Sequence, residues 1–247
     1  MLIRTFEDKM NLVITMGGLG SRFGNRILKP FIQINGKPMF LWAELSAMNF
    51  CKIEFPNEKY QIYGCIKTSF AQVLNSWISI SASNMTPLML PHQTTGPAES
   101  VYLCDLNLDE ELIVHDCDLI AKLKVNKSAK MDLESDLVLY YTPSENPQHS
   151  FIEIESGKVL TIAEKSRISE NGVVGIYVFR SKRLFNHLYE NTVFQEESYI
   201  SDVVKTALRL DYRVMAKMVS SCLSFGTPGE LSENIDLIDE EFFQEFK

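Results

Sequence analysis

The chain has 247 residues, 45% of them hydrophobic and 23% charged, which are the proportions of an ordinary folded globule and exclude a disordered tract. A formal net charge of -8 excludes nonspecific binding to nucleic acid or to an anionic membrane, both of which need a basic field, so an anionic ligand would require a local basic pocket. The five cysteines, without a C-x-x-C pair, are expected to be reduced and buried, and no apolar run reaches bilayer length; a soluble cytoplasmic protein is the expectation.

In chain order, NLVITM (11–16) reads as a buried strand and MFLWAELSAMNF (39–50) as a helix with an apolar stripe. YQIYGCI (60–66) is a second strand, FAQVLNSWISI (70–80) a helix and TPLML (86–90) a short strand. PAESVYLCDL (97–106) is a helix opened by proline, and ELIVHDCD (111–118) a buried strand running into acidic residues. SDLVLYYTP (135–143), SFIEIESGKVLTIAEK (150–165) and GVVGIYVFRS (172–181) are strand-like, with a turn at Ser156-Gly157. SYISDVVKTALRL (198–210) is helical, RVMAKMV (213–219) a last strand, and TPGELSENIDLIDEEFFQEF (227–246) an acidic C-terminal helix. The alternation predicts βαβ units around a largely parallel sheet. No linker or repeat interrupts it, so a single domain over 1–247 is expected, subdivided near residue 120.

The first strand stops at Gly17-Gly18-Leu19-Gly20, where successive backbone N–H groups are free to point at one anion. Ser21, Arg22 and Lys29 add a hydroxyl and two cations; arginine grips phosphate oxygens bidentately, while lysine is a mobile point charge. The familiar phosphate loops do not fit, because G-x-x-x-x-G-K-[ST] is missing and the third glycine of G-x-G-x-x-G would fall on Phe23. A plain strand-to-helix turn would explain the glycines but not the cations.

Further on, Asp116 and Asp118 flank Cys117, and strand alternation puts both carboxylates on one face. Paired carboxylates are hard oxygen ligands of the kind that suit Mg²⁺, with a solvated strand end as the plain alternative. His115 reads as a packing residue, and His92, His149 and His187 show no partner spacing.

GGLGSRFGNRILKP (17–30) resembles the G-x-G-x-R and K-P signature of the sugar-phosphate nucleotidyltransferases, the nucleoside-diphosphate-sugar pyrophosphorylases. QTTGPAES (93–100) resembles the family's nucleotide-binding segment, IVHDCD (113–118) its strand ending in a metal-binding aspartate, and IAEKSRIS…GVVGIYVF (162–179) its sugar-phosphate segment. FGTPGEL (225–231) is similar to its C-terminal glycine-threonine-proline turn. The resemblance implies an α/β, Rossmann-like fold of GT-A type, with a mostly parallel central sheet flanked by helices. It divides the chain into a nucleotide-binding part (about 11–120) and an acceptor-binding part (about 121–247). Many relatives continue into a β-helical tail, so a minimal catalytic domain is expected.

The implied reaction moves a nucleoside monophosphate from a triphosphate to a phosphorylated metabolite and releases pyrophosphate. Such chemistry needs alignment and charge neutralisation more than covalent work by the protein. By the same resemblance Gly17, Gly18, Leu19, Gly20, Ser21 and Arg22 would hold the β- and γ-phosphates, and Lys29 would meet charge at the α-phosphate. Gln93 and Gly96 would read the base edge, with a pyrimidine favoured. Lys165 would hold the acceptor phosphate, Glu164 its hydroxyls, and Gly175 would line the acceptor side. Asp118 would be the principal ligand of Mg²⁺, with Asp116 beside it.

Two departures from the family stand out: Ser224 lies where relatives carry a second metal-binding aspartate, and Arg22 and Lys29 are closer together than usual. The acceptor would be a sugar 1-phosphate feeding capsule or surface glycan synthesis, or a non-sugar phosphate such as phosphocholine. A metal-dependent GT-A glycosyltransferase and a nucleotide-sensing non-enzyme are the alternatives, and the triphosphate-sized loop speaks against the former. Neither nucleic acid nor membrane insertion is expected, and a homo-oligomer is allowed.

Overall fold

The computed structural model describes residues 9–18, 20–24, 28–122 and 135–238, with the backbone alone for Ser21 and Lys122. The first half runs β1 (Lys9–Thr15), β2 (Gln33–Ile34), β3 (Lys37–Pro38), α1 (Met39–Glu54), β4 (Lys59–Lys67), α2 (Ala71–Ser81), β5 (Thr86–Leu90), α3 (Pro97–Tyr102), β6 (Leu112–Asp116) and β7 (Leu119–Lys122). The second half runs β8 (Leu137–Pro143), β9 (Phe151–Glu155), β10 (Lys158–Ala163), β11 (Asn171–Phe179), α4 (Lys182–Glu190), α5 (Ile200–Arg209), β12 (Val214–Met218), β13 (Ser221–Ser224) and α6 (Pro228–Asn234).

Nine strands form one sheet in the order β5-β4-β1-β6-β11-β8-β12-β10-β9. From β5 to β6 every pairing is parallel, and a central strand such as β1, buried along six of its seven residues, reads as a continuous apolar run because both faces are covered. Beyond β6 the sheet turns antiparallel apart from the β8–β12 pair, so it is mixed where a mostly parallel one was expected. The reason is local: β9 and β10 are joined by the tight turn at Ser156 and Gly157, both at positive φ, which returns the chain beside itself without a crossover helix.

Side-chain alternation along β1 feeds two cores. Leu12 and Ile14 join Phe40, Ala47 and Phe50 of α1, whereas Val13 joins Val101 of α3, Leu184 and Phe185 of α4 and Val203 of α5. Helices thus cover both faces of the sheet. α1 is apolar nearly all round because its other side, through Met39 and Trp42, packs on Ile34, Phe225 and Ile238. Truncating Phe40, fully buried between sheet and helix, would cost about 3–5 kcal/mol.

α1 runs four residues beyond its expected end, α3 stops at Tyr102, and the strand expected over 111–118 ends at Asp116. α4 falls in a stretch left unassigned by the sequence reading. The C-terminal helix is α6 followed by a 3-10 turn to Leu237; the expected span past Ile238 lies outside the described residues. Among the described residues no helix is long and apolar enough to cross a membrane.

Candidate active site

A cleft of ≈ 530 Å³ opens where the parallel strands end and the antiparallel half begins. Gly17, Gly18, Arg22, Lys29, Gln93, Gly96, Asp116, Asp118, Glu164, Lys165 and Gly175 all line it. Leu19 and the side chain of Ser21 lie outside the described residues.

One wall follows from how β1 ends. Gly20 turns the chain at φ +65°, and a Cβ there would stand 2.7 Å from the Lys29 Cβ, so a glycine is required both for conformation and for space. That close return explains how the short Arg22–Lys29 spacing is accommodated. Gln93 Nε2 donates to the Gly17 carbonyl at 2.7 Å, tying the loop to the segment before α3, while its Oε1 is buried without a partner among the described residues. Lys29, half-buried, makes an ion pair and hydrogen bond with Asp118 Oδ2.

The carboxylates sit at the floor. Asp116 is the last residue of β6, opposite Thr15 of β1, whose hydroxyl donates to Asp116 Oδ1 at 3.0 Å. On its other side β11 shifts register between Val173 and Tyr177, and within this bulge Gly175 (φ +74°) leaves room that a Cβ would take from Asp116 Oδ2, 2.3 Å away. Asp118 lies in the turn after the strand, and not on the strand as alternation implied; both carboxylates nevertheless face the same cleft.

Burial and the neighbouring Asp118 push the Asp116 carboxyl up to about 7, against the pull of Thr15 and Lys29. Burial alone would raise Asp118 too, but Lys29 outweighs it and holds that carboxyl below its usual range. Burial would lower the Lys29 ammonium, and Asp118, Cys117 and Asp116 together raise it above its ordinary value. The floor is therefore short of positive charge, and hard carboxylate oxygens in that state suit a divalent cation. Among the described residues no group of three or more His, Cys, Asp or Glu side chains forms a metal site by itself, so further ligands would have to come from substrate and water.

His115, fully buried, packs as expected: Ser46 accepts from Ala121 N–H at 3.0 Å and meets His115 Nε2 at 3.1 Å, leaving Nδ1–H to donate to the Asp116 carbonyl at 2.7 Å. Burial pushes its imidazole down to about 4, with the Asp116 carbonyl and Asp118 opposing, so it stays neutral.

The opposite wall is assembled from separate pieces. Glu164 Oε2 accepts from the Ser150 hydroxyl and, at 2.6 Å, from Ser201 at the start of α5. Lys165 follows at φ +49°, a left-handed conformation unusual for a side chain of its size, and its ammonium hydrogen-bonds the Tyr199 hydroxyl while lying 4.3 Å from that ring's centroid. Tyr199 in turn donates to Glu197 Oε2. Ser224 also lines the cleft, and around the space a Cβ of Gly226 would fill stand Asp118 Oδ2 at 2.8 Å, Glu230 Oε2 at 3.1 Å and Ser224 Oγ at 3.7 Å. Thr15, His149, Ser150, Tyr199, Ser201 and Glu230 are cleft residues that the sequence reading missed. Glu230, five residues after Phe225 in the glycine-threonine-proline segment, was the one with a usable signal.

No protein-family model matches the chain. Among curated proteins it is 23% identical over 206 residues to the bifunctional protein GlmU of Thermosipho melanesiensis; the match takes in 79% of this chain but only 43% of that protein's length. Its fold matches the nucleoside-diphosphate-sugar pyrophosphorylase of Vibrio cholerae RC9 with a TM-score of 0.73 and 20% identity, covering 91% of this chain and 99% of the other. It matches the inositol-1-phosphate CTP transferase of T. maritima with a TM-score of 0.74 and 13% identity, covering 97% and 95%. The chain therefore has the mixed α/β, GT-A-like fold of these nucleotidyltransferases.

Proposed function

We propose that the chain is a nucleotidyltransferase that joins the nucleoside monophosphate of a triphosphate to a phosphorylated, hydroxyl-bearing metabolite and releases pyrophosphate. One observation carries this reading: a cation–carboxylate pair, Lys29 with Asp118, and a second cation beside a hydroxyl-bonded carboxylate, Lys165 with Glu164, line the same cleft. Two phosphate-bearing substrates can meet between such walls. The similar proteins, which include a nucleoside-diphosphate-sugar pyrophosphorylase and an inositol-1-phosphate CTP transferase, support it.

In this reading the glycine loop and Arg22 hold the distal phosphates through backbone N–H groups and a bidentate guanidinium. Lys29 moves from Asp118 to the triphosphate as that anion enters, exchanging one charge-assisted bond for another. Asp118 and Asp116 would hold Mg²⁺, which supplies charge neutralisation at the α-phosphate. Lys165 orients the acceptor phosphate for in-line attack, and Glu164 accepts hydroxyl hydrogens from the acceptor. Gln93 and Gly96 are assigned to the base, and a pyrimidine is favoured. The acceptor is read as a sugar 1-phosphate, feeding a surface or capsule glycan, rather than phosphocholine; the Lys165 ammonium 4.3 Å from the Tyr199 ring centroid already occupies a face that a choline cation would seek.

The test is pyrophosphate release in Mg²⁺ with each common triphosphate against sugar 1-phosphates, inositol 1-phosphate and phosphocholine. The expected result is release that needs both substrates, with a product mass equal to nucleoside monophosphate joined to acceptor. Triphosphate turnover that ignores every acceptor, or transfer of sugar from a nucleotide-sugar, would refute the reading.

A further inference from the structure

Residues 144–150, between β8 and β9, form a rim of the cleft that is held by its own hydrogen bonds. Asn146 N–H donates to Ser144 Oγ at 3.1 Å, Gln148 N–H to Asn146 Oδ1 at 3.0 Å, and His149 N–H to the Asn146 carbonyl at 3.1 Å. Asn146 Nδ2 donates to Glu230 Oε1 at 2.6 Å, which fastens the rim to α6. The segment lies flush on β11: a Cβ at Gly172 would stand 2.5 Å from Ser144 Cβ and 3.1 Å from His149 Nδ1. The imidazole of His149 is therefore held by position as well as by bonding.

Its Nδ1 lies 2.9 Å from Ser144 Oγ. That hydroxyl accepts from Asn146 N–H and keeps its own proton to give to Nδ1, an arrangement in which the ring proton stands on Nε2. Nε2 has no protein partner among the described residues, and His149 lines the cleft together with Glu164 and Lys165. Burial pushes the imidazole below its usual value, while Glu230 of α6, Asp118 of the β6–β7 turn and Glu164 at the end of β10 pull it up without reversing the shift.

We propose that His149 is a specificity-determining residue that offers an uncharged Nε2–H to a hydroxyl oxygen of the acceptor, in the same cleft as the acceptor-only carboxylate of Glu164. This rests on the transferase reading above. A hydroxyl both donates and accepts, and a neutral N–H paired with a carboxylate satisfies both capacities at once. The pair selects a sugar or cyclitol phosphate over a phosphomonoester that carries no hydroxyls.

The experiment compares His149→Phe and His149→Gln with the wild type, using α-D-glucose 1-phosphate, myo-inositol 1-phosphate and ethyl phosphate as acceptors. His149→Phe should raise KM for the better hydroxylated acceptor about tenfold, the loss of one neutral hydrogen bond. KM for the triphosphate and the weak turnover of ethyl phosphate should stay within about twofold, and His149→Gln, which keeps an N–H donor, should recover most of the loss. Equal effects on all three acceptors, or none on any, would overturn the proposal. Independently of turnover, nitrogen-resolved imidazole NMR of the wild type should show His149, identified by its disappearance in the Gln variant, as the Nε2–H tautomer, opposite to His115. An Nδ1–H tautomer would overturn it too. A wild type inactive with every acceptor would instead remove the transferase reading, and this inference with it.

Discussion

The two halves of the sheet bring side chains to the cleft by different routes. On the parallel side, the ends of neighbouring strands β1 and β6 converge, so Thr15, the glycine loop, Asp116 and Asp118 arrive from two short contiguous segments. On the antiparallel side, Ser150, Glu164, Lys165, Gly175, Tyr199 and Ser201 come from four separate places, the β8–β9 connection, the segment after β10, the β11 bulge and the start of α5. The triphosphate tail is the same in every nucleotide and can be met by a short local cradle, whereas an acceptor's hydroxyls must be read from several directions.

The largest effects should fall on the parallel side. Lys29→Ala and Asp118→Asn should each lower turnover by about 10²–10³, or roughly 2.7–4 kcal/mol, as expected for removing a charge that meets the transition state. Because the two residues are ion-paired, the double variant should cost less than the sum. Steady-state kinetics on the four-member cycle checks this, and full additivity would separate the pair.

Half-buried Lys29 and buried Lys182 sharpen the contrast between a charge proposed for substrate binding and one placed for structure. Lys29 faces carboxylates, but Lys182, fully buried at the start of α4, hydrogen-bonds the neutral Tyr102 carbonyl at 3.1 Å and Asn186 Oδ1 at 2.5 Å. Burial pushes its ammonium from 10.5 down to about 8, against Cys104 and Asp105. Between those values the unfolded chain keeps a proton that the folded chain has lost, so this residue makes stability rise with pH across that window and weighs against folding below it. Relative to Lys182→Met, the wild type should gain roughly 3 kcal/mol from one end of the window to the other by urea denaturation. A flat difference would show that the ammonium stays charged.

Lys165 tests the antiparallel side at the backbone. Its φ of +49° strains any residue with a Cβ, so Lys165→Gly should be about 1 kcal/mol more stable than Lys165→Ala, though both lose acceptor affinity alike. Equal melting behaviour of the two variants would remove the strain argument. The smallest effect belongs to Ser224→Ala, which should stay within about twofold of wild type because a hydroxyl supplies no charge to a cation. A large loss there would mean that the cation is held further towards β13.

The same asymmetry governs what the sequence made legible. The glycine loop, the two cations and the Asp-x-Asp pair could be read directly, because each is contiguous and has a period or spacing with chemical meaning. Strand and helix types on that side followed from buried apolar runs. α4 escaped notice although Ser181 caps it, accepting from Leu184 N–H, and Leu184, Phe185 and Leu188 form its apolar face; its charged residues diluted the stripe. His149 could not be found from spacing, since its partner Ser144 is a local turn residue five positions away and the cleft it lines is completed by other elements. The mixed character of the sheet was hidden for a related reason: pairing direction depends on whether a connection is a turn or a crossover, and the missed α4 was part of that count.

The proposed division of the cleft between two substrates can be measured without turnover. Calorimetric titration of an α,β-methylene triphosphate, in Mg²⁺, would be run on the wild type, Arg22→Ala and Lys165→Ala. Arg22→Ala should weaken binding by about tenfold or more through loss of a charge-assisted contact, while Lys165→Ala should leave it within about twofold. Weakening by Lys165→Ala with Arg22→Ala unchanged would contradict the assignment of the two walls.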